Sequence, residues 1–331
     1  MSEPVLSLRG LSIEFATSRG VVRAVQDVSL DVVGGRTLAL LGESGSGKSV
    51  TAQAVMGVLD SPPGRVTAGQ VLLRGRDLLT VPAAERRKAN GEVLSMVFQD
   101  SMSSLNPVFT VGEQIAELLR VRRGSSRRVA WAGAVELMDR VRIPAPAQRA
   151  RDYPHQFSGG MRQRVMIAMA IALDPAVLIA DEPTTALDVT VQAQIMELLR
   201  QLQEETGMGL VLITHDLGVV AEVADEVAIM YAGRIVEQGP IHQLFAHPSH
   251  PYTRGLLRSI PRPDRDDDVL WAIPGAPPDL LHLASGCSFR SRCDVPVQRC
   301  ADERPDLQVP HGSPSQRSAC HRREEVLGGL V

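Results

Sequence analysis

Lysine is almost missing from this chain. Of 35 basic side chains only Lys48 and Lys88 are lysines, and all the others are arginine. Aromatic residues are scarce too, with six Phe, three Tyr and two Trp in 331 residues, so few side chains can offer a ring face to a flat ligand. No apolar run reaches the ~18–20 residues that span a bilayer; the longest candidate, from Val165 to Leu173, is broken by Asp174-Pro175. The first ten residues are mixed and lack the basic-then-apolar layout of a signal peptide. These absences predict a soluble or peripheral protein, cytoplasmic by default. A basic excess is also lacking: the net charge is −3, which argues against a general nucleic-acid binder. Cysteine is absent from the first 286 residues and then occurs four times, at 287, 293, 300 and 320. A cluster confined to one tail suggests a common purpose, and in a cytosolic protein a disulfide pair is the lesser candidate.

What is present begins with Gly42-Glu43-Ser44-Gly45-Ser46-Gly47-Lys48-Ser49, which fits the phosphate-cradling pattern G-x-x-x-x-G-K-[ST]. The apolar run Thr37–Leu41 before it reads as a buried strand, and Ser49 to Met56 has helical character. Gly42, Gly45 and Gly47 let backbone N–H groups approach phosphate oxygens, and the helix that follows aims its positive end at the same anion. Lys48 is expected to reach the β- and γ-phosphates, and Ser49 to hold Mg²⁺. Ser44 and Val50 complete the expected nucleotide contacts. A compact ammonium suits the inside of such a loop where a planar guanidinium does not.

Further strands are expected over Val5–Phe15, Val21–Val32, Gly69–Arg74, Val93–Gln99, Ala176–Ala180, Leu210–Thr214, and as a hairpin over Val227–Tyr231 and Arg234–Glu237. Amphipathic helices are expected over Gly112–Arg123 and Ser126–Val141, the second ended by Pro144 and Pro146. Ser158 reads as the cap of a helix to about Leu173, and Val191–Glu205 as a helix closed by Gly207. Pro261 to Asp268 reads as a linker, and no internal repeat is seen.

Six features now stand in order: the phosphate loop; Gln99 at a strand end; Phe157-Ser158-Gly159-Gly160-Met161-Arg162-Gln163-Arg164; an apolar strand ending in Asp181-Glu182-Pro183; Thr185-Ala186-Leu187-Asp188; and His215. In this order they resemble the nucleotide-binding subunit of an ABC transporter, from about residue 5 to 240. The resemblance implies an α/β ABC-type P-loop ATPase core with an N-terminal antiparallel β-subdomain and a helical subdomain at about 100–155. It implies that Asp181 holds the Mg²⁺ shell, Glu182 acts as general base on the attacking water, Gln99 touches Mg²⁺, and His215 contacts the γ-phosphate. Ser158, Gly159 and Gly160 would close on ATP held by an opposite subunit, with Asp188 at the shared interface, so one chain supplies half of each site. Phe15 is a candidate for stacking on adenine, and a core role fits it nearly as well. The motif departs from the common form at Phe157, where Leu is usual, and at Met161, where many relatives have Gln.

Three more segments are similar to the dipeptide/oligopeptide (peptide/nickel) importers: Gln99-Asp100-Ser101-Met102-Ser103-Ser104-Leu105-Asn106-Pro107, Tyr153-Pro154-His155-Gln156, and His250-Pro251-Tyr252-Thr253-Arg254-Gly255-Leu256-Leu257. The resemblance implies an ATPase on the cytoplasmic face of the membrane, working with a second, related ATPase subunit, two permease subunits and an extracytoplasmic substrate-binding protein, and not with nucleic acid. It implies ATP hydrolysis that energises import of di- or oligopeptides, with a nickel or glutathione importer of the same family as the alternative. A soluble ABC protein acting on ribosomes or DNA is the distant alternative. Residues 241–331 form the expected C-terminal extension. Its spacing C-x5-C-x6-C-x19-C is not a zinc-finger pattern; four thiolates suit either Zn²⁺ or an iron–sulfur cluster. The resemblance favours a [4Fe–4S] cluster on Cys287, Cys293, Cys300 and Cys320, with zinc or free thiols as alternatives.

Overall fold

The computed structural model describes residues 3–99, 104–260 and 271–329. The segment 100–103 after Gln99 and the expected linker Pro261–Asp268 lie outside the described residues. The principal elements in chain order are β1 (Pro4–Thr17), β2 (Gly20–Val33), β3 (Thr37–Leu41), α1 (Lys48–Met56), β4 (Gly64–Leu73), β5 (Arg76–Asp77), α2 (Ala83–Glu92), β6 (Leu94–Val97), α3 (Val111–Arg123), α4 (Arg127–Arg140), α5 (Gly159–Ile171), β7 (Val177–Asp181), α6 (Val189–Thr206), β8 (Gly209–Thr214), α7 (Leu217–Val223), β9 (Glu226–Tyr231), β10 (Arg234–Pro240), α8 (Ile241–Ala246), α9 (Pro251–Arg258) and β11 (Arg317–Ser318). The chain divides into two compact units, each assembled from separated segments.

One unit contains residues 6–31, 37–79 and 213–331. Its antiparallel sheet has the order β2-β1-β4-β5. Leu6 and Leu8 on β1 are buried, and so are Leu11 and Ile13, which means the inward phase slips by one residue between the pairs. The register shift between Arg9 and Ser12 is the cause. A bulge adds one residue and restores the core face, and Gly10, at φ +60°, supplies the left-handed turn it needs. β3 pairs in parallel with β9, which pairs with β10, and β10 with β11 near the end of the chain. An apolar core runs through Ala39, Leu41, Ile229, Tyr231, Val236, Leu244, Tyr252 and Phe289, so the tail shares its interior with the strand that leads into the phosphate loop.

A buried carboxylate fastens this tail. Glu237 on β10 is fully buried and accepts from Ser249 N–H at 2.6 Å, Ser249 Oγ at 2.7 Å, His250 N–H at 3.1 Å and Gln316 Nε2 at 2.6 Å. Burial pushes its carboxyl above the usual carboxylate range, against the pull of these donors. His250, also buried, is held as a neutral imidazole: burial lowers it to about 3. Its Nδ1 accepts the Tyr252 N–H at 3.0 Å and so caps α9.

The other unit contains residues 1–5, 32–36 and 80–212. β6 and β7 pair in parallel, Leu94 opposite Val177 through Val97 opposite Ala180. α3 begins with a reciprocal cap, Thr110 with Glu113, and α4 begins at the Ser126 cap. Gly112 allows α3 to pass close to Ala150, whose carbonyl oxygen would stand 2.6 Å from an added Cβ. α4 stops at Arg140, and Pro146 opens a further short helix, Pro146–Arg149, in addition to ending the earlier pattern. The sequence pattern gave no sign of α2, and the reason is physical: none of its residues is buried, so it has no apolar period. β4 also starts five residues earlier than expected, at Gly64.

Removing the Glu237 acceptor strands several buried donors. Glu237→Ala is expected to cost about 3 kcal/mol, read as a drop of several degrees in the thermal midpoint of the full-length protein. An unchanged midpoint would show that the buried network contributes nothing.

Candidate active site

The loop after β3 is shaped so that only glycine fits where the backbone must turn inward. At Gly42, with φ +154°, an added Cβ would stand 2.1 Å from the Met230 carbonyl oxygen. At Gly47, with φ +106°, it would stand 2.5 Å from the Ala24 carbonyl oxygen. Gly47 is also the residue at which α1 begins, so the free N–H groups of the first turn face the loop. Lys48 is buried, 6 % exposed, and its Nζ donates to the carbonyls of Gly42 at 2.7 Å and Glu43 at 3.0 Å. Its ammonium therefore sits over the loop that it is expected to share with phosphate. Ser44 and Gly45 are exposed, while Ser49 and Val50 are half-buried at the helix start. The buried Ser46 Oγ lacks a protein partner, which suits a loop built around an anion. His215, in the same unit, is exposed and directly follows the buried β8. The next residue, Asp216, caps α7 by accepting from Gly218 N–H and Val219 N–H.

Phe15 pairs across the sheet with Gly64, and its ring edge would lie 2.8 Å from a Cβ added there. It is half-buried.

In the other unit, Asp181 ends β7 and is 3 % exposed. Glu182 follows with φ +46°, a left-handed backbone that costs a non-glycine residue about 1–3 kcal/mol. The kink turns its carboxylate out of the strand direction, where Oε2 accepts from Gln99 Nε2 at 2.8 Å and from Thr185 Oγ1 at 2.8 Å. The sequence-predicted pair Gln99 and Glu182 is thus brought together across 83 residues of chain. Thr185 is a partner that spacing alone did not assign, although it lies in a segment already singled out.

Ser158 caps α5, accepting the Met161 N–H at 3.4 Å, and Asp188 caps α6, accepting the Val191 N–H at 3.0 Å. The two helix starts pack closely: a Cβ on Gly160 would meet Val191 Cγ1 at 2.5 Å, and one on Gly159 would meet Leu187 at 3.3 Å. Ser158 and Gly159 are exposed and Gly160 half-buried, so the cap presents its N–H groups outward. Phe157, in the place where Leu is usual, is buried beneath them, with the Arg149 guanidinium 6.0 Å over its ring.

Around the cysteines, the Cys287 N–H donates to the Cys300 carbonyl at 2.9 Å, and Gly286, at φ +79°, is obligatory because a Cβ would stand 2.3 Å from that oxygen. Cys287, Cys293 and Cys320 each receive a backbone N–H from the residue two positions on, namely Phe289, Val295 and Arg322. For Cys320 the N···S distance is 3.3 Å. Each of the four sulfurs lies within electrostatic reach of others of the set. Burial pushes Cys287 up to about 11 and Cys320 up to about 12, and neighbouring thiols add to both. Among the described residues no three His, Cys, Asp or Glu side chains are grouped as ligands of a single ion.

The chain is similar to known proteins over most of its length. Residues 25–185 match the family described as ABC transporter, and residues 236–300 match the oligopeptide/dipeptide transporter C-terminal region. A putative peptide import ATP-binding protein of Brucella melitensis is 50% identical over 98% of each chain. An oligopeptide transport ATP-binding protein of Haemophilus influenzae is 50% identical, covering 90% of this chain and 91% of its own. A dipeptide transport ATP-binding protein of Bacillus subtilis is 50% identical, covering 88% and 87%. Among solved structures, a dimeric ATP-binding cassette in a post-hydrolysis state, bound to ADP and Pi, superposes with TM-score 0.64 and 28% identity over 71% of this chain and 98% of that one.

The fit at the loop gives a direct check. Gly42→Ala drives a methyl group into the Met230 carbonyl, so nucleotide affinity is expected to fall at least about tenfold by equilibrium binding. Gly45→Ala meets no atom within 4 Å and is expected to lose less.

Proposed function

The chain belongs to the ATP-binding subunits of ABC transporters of the oligopeptide/dipeptide type, and we propose in detail how its residues hydrolyse ATP to energise peptide import. The carrying observation is the Gln99–Glu182 contact on a kinked strand end next to a buried Asp181. Glu182 is the general base. Its carboxylate now accepts from Gln99 and Thr185, and a water taking one of those places would sit where the carboxylate can receive its proton. The Gln99 amide and the Glu182 carboxylate together orient that water for its attack on phosphate.

Lys48 exchanges the Gly42 and Glu43 carbonyls for phosphate oxygens, and the loop N–H groups neutralise the triphosphate. Ser49 and Asp181, with Gln99, are suited as Mg²⁺ partners: a hydroxyl, a buried carboxylate and an amide oxygen are the hard donors that ion takes. When bound, Mg²⁺ supplies neutralisation of the β- and γ-phosphate charge. His215 contacts the γ-phosphate, and Phe15 offers its half-buried ring to adenine. The exposed N–H groups at Ser158, Gly159 and Gly160, with Asp188 beside them, close on ATP bound by a second ATPase subunit. A related heterodimer partner, two permease subunits and an external binding protein complete the assembly. No helix among the described residues is long and apolar enough to cross a membrane, which fits a peripheral subunit working on the cytoplasmic face.

The tail is proposed to hold a [4Fe–4S] cluster on Cys287, Cys293, Cys300 and Cys320. Support comes from the backbone N–H groups aimed at three of the sulfurs, which stabilise thiolate, and from burial, which keeps the thiols protonated until a metal displaces the proton. A single Zn²⁺ would draw four sulfurs to within about 3.8 Å of one another around 2.3 Å bonds. For a cluster, Cys287, Cys293, Cys300 and Cys320 would supply the four thiolates that hold the irons. The cluster supplies a structural staple to a tail with few large apolar groups.

In the assembled transporter, Glu182→Gln is expected to bind ATP and to lose hydrolysis by about 10²–10³-fold; phosphate release at the wild-type rate would remove Glu182 as base. Metal and acid-labile sulfide analysis of protein purified without oxygen is expected to give about four irons and four sulfides per chain. One zinc per chain and no colour would replace the cluster by a zinc module and leave the ATPase reading untouched.

A further inference from the structure

We propose that Arg292 is a positioning residue for the phosphate loop, and that through it the cysteine-bearing tail sets how tightly the loop holds nucleotide. This rests on reading Gly42–Ser49 as the ATP loop; it does not depend on what the cysteines bind.

The Arg292 guanidinium grips Glu43, the second residue of the loop, with two parallel bonds: Nη1 to Oε2 at 2.7 Å and Nη2 to Oε1 at 3.0 Å. The pair spans 249 residues of sequence and is largely removed from water, with the Arg292 side chain 5 % exposed. Tyr252 Oη accepts the Glu43 N–H at 3.0 Å. The Glu43 carbonyl accepts from Lys48 Nζ. The same carbonyl accepts the Ser46 N–H at 3.2 Å, so every polar group of Glu43 is engaged, and two of its four partners come from beyond residue 250.

The brace is itself anchored. Arg292 lies in the single turn Arg290–Arg292 between Cys287 and Cys293. Its Nε donates to the Pro274 carbonyl at 3.0 Å, and its guanidinium lies 5.9 Å from the Tyr231 ring centre. Tyr231, Tyr252 and Phe289 pack ring on ring, at 4.7, 5.2 and 5.4 Å between centroids. Arg254, on the same helix as Tyr252, pairs with Asp294 at 2.9 Å. Wherever the Cys287–Cys293 turn moves, Arg292 moves with it.

Two effects follow at the loop. A fixed Glu43 keeps the loop N–H groups and the Lys48 support in place before nucleotide arrives, so less order is lost on binding. A neutralised Glu43 also does not repel a triphosphate a few residues away. Both act on binding of ATP and neither touches the base at Glu182. The signature is thus a rise in KM and Kd with a smaller change in kcat.

The test uses the full-length protein and the fluorescent analogue MANT-ATP, with Arg292→Met, Arg292→Lys, Glu43→Gln and the double variant Glu43→Gln/Arg292→Met. Arg292→Met is expected to weaken binding on the order of tenfold, Arg292→Lys less, and the double variant to recover to within about threefold of wild type, because no charge is then left unpaired. Lys48→Ala serves as the reference for the ATP loop. If Lys48→Ala abolishes binding while Arg292→Met binds as wild type, the brace is wrong and the ATP reading stands; if Lys48→Ala still binds normally, the ATP reading falls and the brace with it. A weakening in Arg292→Met that the second substitution does not rescue marks general unfolding and overturns the proposal. Should Arg292→Met fail to fold, wild-type protein decides, since coupling is reciprocal: hydrogen exchange of residues 286–294 slows on adding ATP if the brace is real, and equal exchange refutes it.

Discussion

A phosphate held by backbone N–H groups leaves no room for side chains, and that exclusion governs the architecture around residues 42–49. Gly42 and Gly47 turn inward against the Met230 and Ala24 carbonyls, at distances where no Cβ survives. Such close approach is possible only if the surrounding strands are fixed, so β3 is buried along its length and pairs directly with β9. The tail that packs on this core is then more than an appendage. It shares the apolar interior of β3 and β9, is fastened by the Glu237 network, and reaches the loop itself through Tyr252 and Arg292.

Charge is handled differently in the two units. In the one with the phosphate loop, the ammonium of Lys48 is stored over backbone carbonyls, and the loop's own carboxylate, Glu43, is paired with a guanidinium. In the other, the contacts of Glu182 include an amide and a hydroxyl, neutral donors that do not cancel a carboxylate's negative charge. A base needs that charge to receive a proton, whereas a phosphate cradle needs it cancelled. The strained backbone at Glu182 and the positive φ of the cradle glycines are both local costs that the packed strand ends sustain.

Much of this was legible in the residues themselves. The strands that lead into the site are continuous apolar runs, and Thr37–Leu41 and Val177–Asp181 are fully buried as that pattern implies. Ser158, Gly207 and the loop glycines marked their turns because cap and left-handed geometry demand those residue types. What escaped has equally plain causes. Helix α2 buries nothing and so carries no period. The bulge in β1 depends on Gly10 meeting Gly69 across the sheet, a close approach that neither stretch announces alone. Arg292 and Glu43 are ordinary surface types, and nothing local tells that each is the other's partner. Long-range ion pairs have no periodicity to read.

That same separation bears on how the protein is made. Residue 292 leaves the ribosome 249 residues after Glu43, an interval of about 12–50 s at 5–20 residues per second. For most of it the phosphate loop and the first strands exist without β9, the buried carboxylate at Glu237 or Tyr252, and for all of it without Arg292. The nascent chain thus carries a complete nucleotide motif whose bracing at Glu43 waits for residue 292. A chain that stops before residue 292 presents the motif without its guanidinium support.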